Sequence, residues 1–248
     1  MPRRGRQRTF LVLALLALGI GLLPPIVSEA PRYVYVGAIQ FSLFAFVAPS
    51  LLVLSASWPR AWRQGWLSEF ADRRRHDPSA LRSVAVFLSS EAVVIFWRLP
   101  IAVDGLVRHR IVVVAELVTL LGAGIAFWLE LVSSSPLSPR LPRQRRMIVA
   151  TFAMWAIWAV AYLVGLSHAA SYPAYEAARS HGLTLSADQQ IMAAVLWAIP
   201  ACVFLPVIFA NLMAWLRDEQ DPDEEMREMT RVERRRLRWE SGAEPRRG

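Results

Sequence analysis

The chain has 248 residues, 55% of them apolar, and a formal net charge of +8. Its apolar residues gather into runs that can cross a bilayer, which takes about 20 residues rising about 1.5 Å each. The runs are apolar all round, which excludes a soluble helical bundle, and they lack the short alternating pattern of transmembrane strands.

In chain order, residues 1–9 form a basic segment carrying Arg3, Arg4, Arg6 and Arg8, and the first span follows over Phe10–Val27. The same stretch, ending in Ser28-Glu29-Ala30, also fits a cleaved signal peptide. Its apolar run exceeds a usual signal core, so a retained helix is expected; cleavage would leave five spans in the same orientation. The second span is Tyr33–Leu54. The connection Ser55–Ala80 places Trp58, Trp62 and Trp66 at four-residue spacing, one face of a short helix lying among headgroups.

The third span, Leu81–Val103, and the fourth, Ile111–Val132, are joined by the short connection Asp104–Arg110 and are expected to be antiparallel neighbours. Met147–Leu166 and Ile191–Leu216 complete the bundle, and residues 217–248 form a charged tail, read as a helical extension. Pro24, Pro25, Pro49, Pro100, Pro200 and Pro206 should bend or end helices. The single cysteine, Cys202, excludes an intrachain disulfide and is expected as a buried thiol in the last span. The reading is an all-α integral membrane protein: a six-helix bundle over residues 10–216 with no soluble domain.

All 28 basic residues are arginine. Twenty-three precede the first span, follow the last, or occupy the second and fourth connections; the opposite connections hold only Arg32, Arg108, Arg110 and Arg179. Basic residues are retained on the cytoplasmic side during insertion, so both termini are expected there. The arginines therefore read as topology signals and lipid-facing anchors, not as a nucleic-acid surface.

Charged groups inside the spans each call for a functional reading. Glu91 falls in the middle of the third span, with Ser89 and Ser90 as candidate hydrogen-bond partners. Arg98 and Glu116 stand at equal depth from the turn joining the third and fourth spans. They are expected to pair, the alternative being that Arg98 reaches outward to the headgroups. His109, His168, His181 and Met192 fall on the outer side and supply donors that copper accepts, but at no ligand spacing. His76 stands alone on the cytoplasmic side.

Several short segments in order carry a resemblance. They are Gln40 with Val47-Ala48-Pro49-Ser50-Leu51-Leu52-Val53-Leu54, then Trp97-Arg98-Leu99-Pro100, then Glu116 with Leu121-Gly122-Ala123-Gly124 and Phe127-Trp128. Tyr172-Pro173-Ala174-Tyr175 and Asp188-Gln189-Gln190 leading to Trp197 complete the set. Together they resemble the multi-span CtaG-type cytochrome c oxidase assembly factors of bacteria, over roughly Tyr33 to Trp215.

The resemblance implies a protein of the bacterial cytoplasmic membrane that helps assemble haem-copper oxidases, with oxidase subunits and lipid as partners and copper delivery from the outer side. It also implies histidines where this chain has Gly37, Phe41, Arg98, Val113 and Leu117. The expectation is therefore an assembly factor with a degenerate copper site and no resident cofactor, in which an Arg98–Glu116 pair replaces the metal link. A permanent accessory subunit of an oxidase or supercomplex is the alternative. No nucleophile triad, zinc spacing or nucleotide loop supports an enzyme.

Overall fold

The computed structural model describes residues 2–58, 65–76, 79–167, 171–175 and 182–219. The chain begins with α1 (Pro2–Gly21) and α2 (Pro24–Glu29). Then α3 (Val34–Ser42), a π-helical turn (Leu43–Val47) and α4 (Ala48–Ser55) run on as one rod. Next come α5 (Trp66–His76), α6 (Ala80–Phe96), α7 (Pro100–Arg108), α8 (Arg110–Leu131), α9 (Arg143–Gly165) and α10 (Leu185–Glu219).

Four of these elements are long and apolar enough to cross a membrane: Val34–Ser55, Arg110–Leu131, Arg143–Gly165 and Leu185–Arg217. A fifth crossing is supplied if the bent pair Leu81–Phe96 and Pro100–Arg108 counts as one span. The protein is thus an all-helical, multi-pass membrane protein.

The expected third span, Leu81–Val103, is not one straight helix. It bends by 60° between Phe96 and Pro100. Proline disfavours helical geometry in the residue before it, and Leu99 is extended (φ −68°, ψ 143°). The first segment is divided in the same way. Leu23 is extended before Pro24 and Pro25, so the run expected over Phe10–Val27 becomes α1 and α2. The arginines at the start of α1 leave it only about 13 apolar residues before the break, about 20 Å of rise. Pro200 and Pro206, by contrast, are absorbed within a continuous α10.

Residues 34–55 are the centre of the bundle, 67% buried against 22–33% for the other three unbroken spans. Helices α1, α8 and α10 pack around this rod. The heart of the core is a chain of ring contacts: Phe41 on Phe46 at 5.9 Å, Phe46 on Phe204 at 5.8 Å, and Phe204 stacked on Trp128 at 5.2 Å. Offset and edge-to-face arrangements at these distances are the favourable ones for aromatic pairs.

Helices α6 and α8 lie antiparallel. Ser83 bonds Glu130, Ser90 donates to the Ala123 carbonyl, and the Trp97 indole donates to Thr119. Helices α9 and α10 form a second antiparallel pair, marked by parallel Trp158 and Trp197 rings at 4.3 Å. The Trp158 indole N–H also donates to the Trp197 carbonyl.

Pro49 cannot donate a backbone hydrogen bond, which leaves the preceding turn without its regular partner, and the rod takes a π-helical turn just there. Helix α8 crosses this irregular turn at Gly124. A Cβ at that position would lie 2.6 Å from Pro49 Cγ and 2.7 Å from the Ala45 carbonyl oxygen. Gly122, one place before the preceding residue, has nothing within 4 Å of such a Cβ. Gly124→Ala should therefore cost about 1–3 kcal/mol through overpacking, read as a lower unfolding midpoint in detergent. Gly122→Ala should leave the midpoint unchanged or slightly raise it.

Candidate functional site

One end of the bundle gathers most of the segments that carry the resemblance. The break between α6 and α7 places Arg98 there, turned inward. Its terminal nitrogen donates to Glu116 Oε1 on α8 at 3.0 Å, and the two side chains are 3% and 5% exposed. The guanidinium carbon sits 4.1 Å from the centre of the Phe41 ring, a cation–π contact from the central rod. Arg98 Nε has no hydrogen-bond partner. The fixed charge is thus held by a carboxylate on one side and a ring face on another.

The segment 171–175 closes over this pair. The Tyr172 hydroxyl donates to the Arg98 carbonyl at 3.0 Å, and the Tyr175 hydroxyl donates to the Ala30 carbonyl at 3.0 Å. Burial raises both phenols above their ordinary value, partly offset by the Arg98 charge, so they remain donors. A Cβ on Gly37 would come 3.4 Å from the Tyr175 oxygen, so the small residue leaves that hydroxyl its place.

Asp188, fully buried at the start of α10, accepts the backbone N–H groups of Val34 and Tyr35 at 3.0 and 2.9 Å. A carboxylate at the N-terminus of α3 satisfies free N–H groups and meets the positive end of the helix dipole. Gln189 accepts the Ser171 N–H at 3.0 Å. These bonds tie α3, α10, the 171–175 segment and the α6–α7 break into one closed end.

Glu91, on α6, is half-buried with Oε2 unpartnered; Ser89 and Ser90 donate instead to the carbonyls of Val86 and Ala123. His109 is exposed between α7 and α8, whereas Met192 is fully buried in the core. His168 and His181 lie outside the described residues. Among the described residues, no three His, Cys, Asp or Glu side chains are grouped to hold a metal.

Two further expectations are corrected. Cys202 is exposed, because it falls on the outward face of α10. Of the expected tryptophan helix, the described residues show α5 from Trp66 onward, while Trp58 lies outside it and donates its indole N–H to Ser134 at 3.1 Å. Trp62 is outside the described residues.

A second buried polar cluster, not anticipated from the sequence, lies at the opposite end. Glu130, in the last turn of α8, accepts from Arg74 of α5 at 3.0 Å and from Arg140 at 2.6 Å. Its other oxygen accepts the Ser83 hydroxyl at 2.9 Å. Arg74 also donates to the carbonyls of Leu129 and Ser138. Burial lowers the Arg74 guanidinium from its ordinary value, and the charge of Glu130 opposes that shift. The signal in the sequence is an acidic residue closing the fourth span, next to the arginine-rich fourth connection.

Removing one partner of a buried ion pair strands the other in a poor solvent, at about 3–5 kcal/mol. Arg98→Ala and Glu116→Ala should each lower stability in detergent by about that amount. The double substitution should cost less than the two singles combined by about 1–3 kcal/mol, the coupling expected of direct partners. Additivity in that cycle would deny the pairing any energetic weight.

Comparison with known proteins supplies the family. The family model described as cytochrome c oxidase caa3 assembly factor (Caa3_CtaG) matches residues 1–218. No curated protein and no solved structure matches the chain. Since the matched region takes in every described helix up to the last turn of α10, the chain belongs to the cytochrome c oxidase caa3 assembly factor family.

Proposed function

We propose that this protein supports maturation of a haem-copper cytochrome c oxidase as a scaffold in the bacterial cytoplasmic membrane, and that it does so without holding copper at the family's expected position. The family match carries the assembly role. The geometry around Arg98 carries the second part.

Copper takes imidazole, thiolate or thioether donors. The positions where the resemblance leads one to expect histidine are Gly37, Phe41, Arg98, Val113 and Leu117, none of which offers such a donor. A guanidinium, which stays protonated in proteins, lies over the Phe41 ring and bonds Glu116. These residues do not fit a copper ion. The pair links α8 to the α6–α7 break where a metal would otherwise have joined them.

A six-span arrangement with both ends in the cytoplasm is part of the proposal. Its support is the arginine distribution, with 23 of 28 on one set of connections and termini. On this reading the Arg98 end faces outward, toward the side from which copper reaches the oxidase, and α5 lies inside. In that arrangement α1 and α2 together make the remaining crossing.

The second reading is a permanent accessory subunit. It is favoured by the broad apolar faces that helices leave exposed, including Leu163, Ile111 and Ile101 at 71–79%. A membrane-embedded partner can cover such faces equally well during assembly or afterwards.

The test is a strain lacking this protein, complemented by the chain with green fluorescent protein at its C-terminus. Loss should lower assembled oxidase severalfold, judged by haem absorbance and cytochrome c oxidation. The fusion should fluoresce, as a cytoplasmic C-terminus requires, and be absent from the purified mature enzyme. Undiminished oxidase in the deletion would contradict the assembly role. Stoichiometric retention in the mature enzyme would favour the accessory subunit.

A further inference from the structure

The cluster at the α5 end is unbalanced in charge, and the imbalance is localised. One carboxylate, Glu130, faces two guanidiniums, Arg74 and Arg140. Arg74 is well satisfied: besides Glu130 it donates to the carbonyls of Leu129 and Ser138 at 2.7 and 2.9 Å. Arg140 is not. Its side chain is 9% exposed, its hydrogen bond goes to Glu130 through one terminal nitrogen, and its Nε–H has no partner. A buried guanidinium with an open donor beside a second guanidinium is costly, and an anion at that place relieves both the charge and the missing bond.

The position selects the kind of anion. Glu130 is in the last turn of one candidate span and Ser83 in the first turns of another, so the cluster lies at headgroup depth. Beside it, α5 turns Leu67, Ala71 and Arg74 inward. Its neighbouring face exposes Trp66 and Phe70, whose rings form a pair at 6.5 Å. Amphipathic aromatics at such a level are interface anchors, which lay the helix along the headgroups.

We propose that Arg140, with Arg74 beside it, binds a phosphate group, the phosphodiester of an anionic phospholipid at the membrane face that carries α5. Arginine suits this ligand because its planar donors match phosphate oxygens. The site would tie α5 and the connection after α8 to the lipid, and it is independent of the assembly role proposed above.

Native mass spectrometry and thermal unfolding of the full chain test it, in nanodiscs of phosphatidylcholine with or without phosphatidylglycerol, and in detergent with inorganic phosphate. The comparison variants are Arg140→Gln and, as a surface control, Arg73→Gln, whose side chain is 80% exposed. Phosphatidylglycerol should be retained by the wild type and by R73Q and raise their unfolding temperatures. Its apparent affinity should fall about tenfold in R140Q, the loss expected for a charge-assisted hydrogen bond. The same pattern with inorganic phosphate but not the lipid supports the phosphate site and names the free ion as its source. Equal binding in R140Q and wild type, or equal losses in R140Q and R73Q, overturns the proposal. Should R140Q fail to fold, the wild type decides: no retention and no thermal shift with either ligand also overturns it.

Discussion

An arginine side chain inside a membrane bundle must be neutralised where it stands, and the architecture of one end of this protein follows from how Arg98 meets that requirement. The Pro100 break turns the chain so that Arg98 points into the protein, 3.0 Å from Glu116 and over the Phe41 ring. Tyr172 then closes on the Arg98 carbonyl, bringing the 171–175 segment over the pair. Asp188 and Gln189 join the start of α10 to α3 and to Ser171. The contacts of Arg98 with Glu116, Phe41 and Tyr172 depend on the break being where it is. Without it, α6 would run straight on and Arg98 would face a different neighbour.

Both ends of the bundle thus use buried charge to fix helices that apolar contact alone leaves free to slide. In a bilayer the lipid is as apolar as the helix faces, so close packing and polar links set the register. At one end a single arginine meets a single carboxylate. At the other, two arginines share one. Between them the register of α8 against the central rod is set by the close approach at Gly124, which accepts the π-helical turn before Pro49. Polar anchors at each end and a steric fit in the middle hold α8 at three levels.

Much of this was legible beforehand, for reasons that individual residues show. Arg98 and Glu116 could be matched because counting outward from a short turn gives depth directly in antiparallel helices. The four unbroken spans follow from apolar length. The break at Leu99 was less legible: Pro100 signals an irregularity, but whether proline kinks, ends or is absorbed by a helix depends on neighbours. Pro200 and Pro206 are absorbed. Four-residue tryptophan spacing suggested a helix through Trp58, yet a hydrogen bond to Ser134, far away in sequence, takes that side chain elsewhere. Glu130 was hidden for the same reason. Its partners come from two separate connections, and only the folded chain brings Arg74 and Arg140 to one carboxylate. Cys202 needed the facing of α10, which a helix apolar on every side does not reveal.

The central claim is that an ion pair, and not a metal, joins the helices at the Arg98 end. Copper content and unfolding temperature, measured together on protein purified from copper-replete membranes with and without a copper(I) chelator, test it directly. The account predicts copper far below one ion per chain and an unfolding temperature that the chelator leaves unchanged. About one copper per chain, with stability lost on chelation, would contradict it.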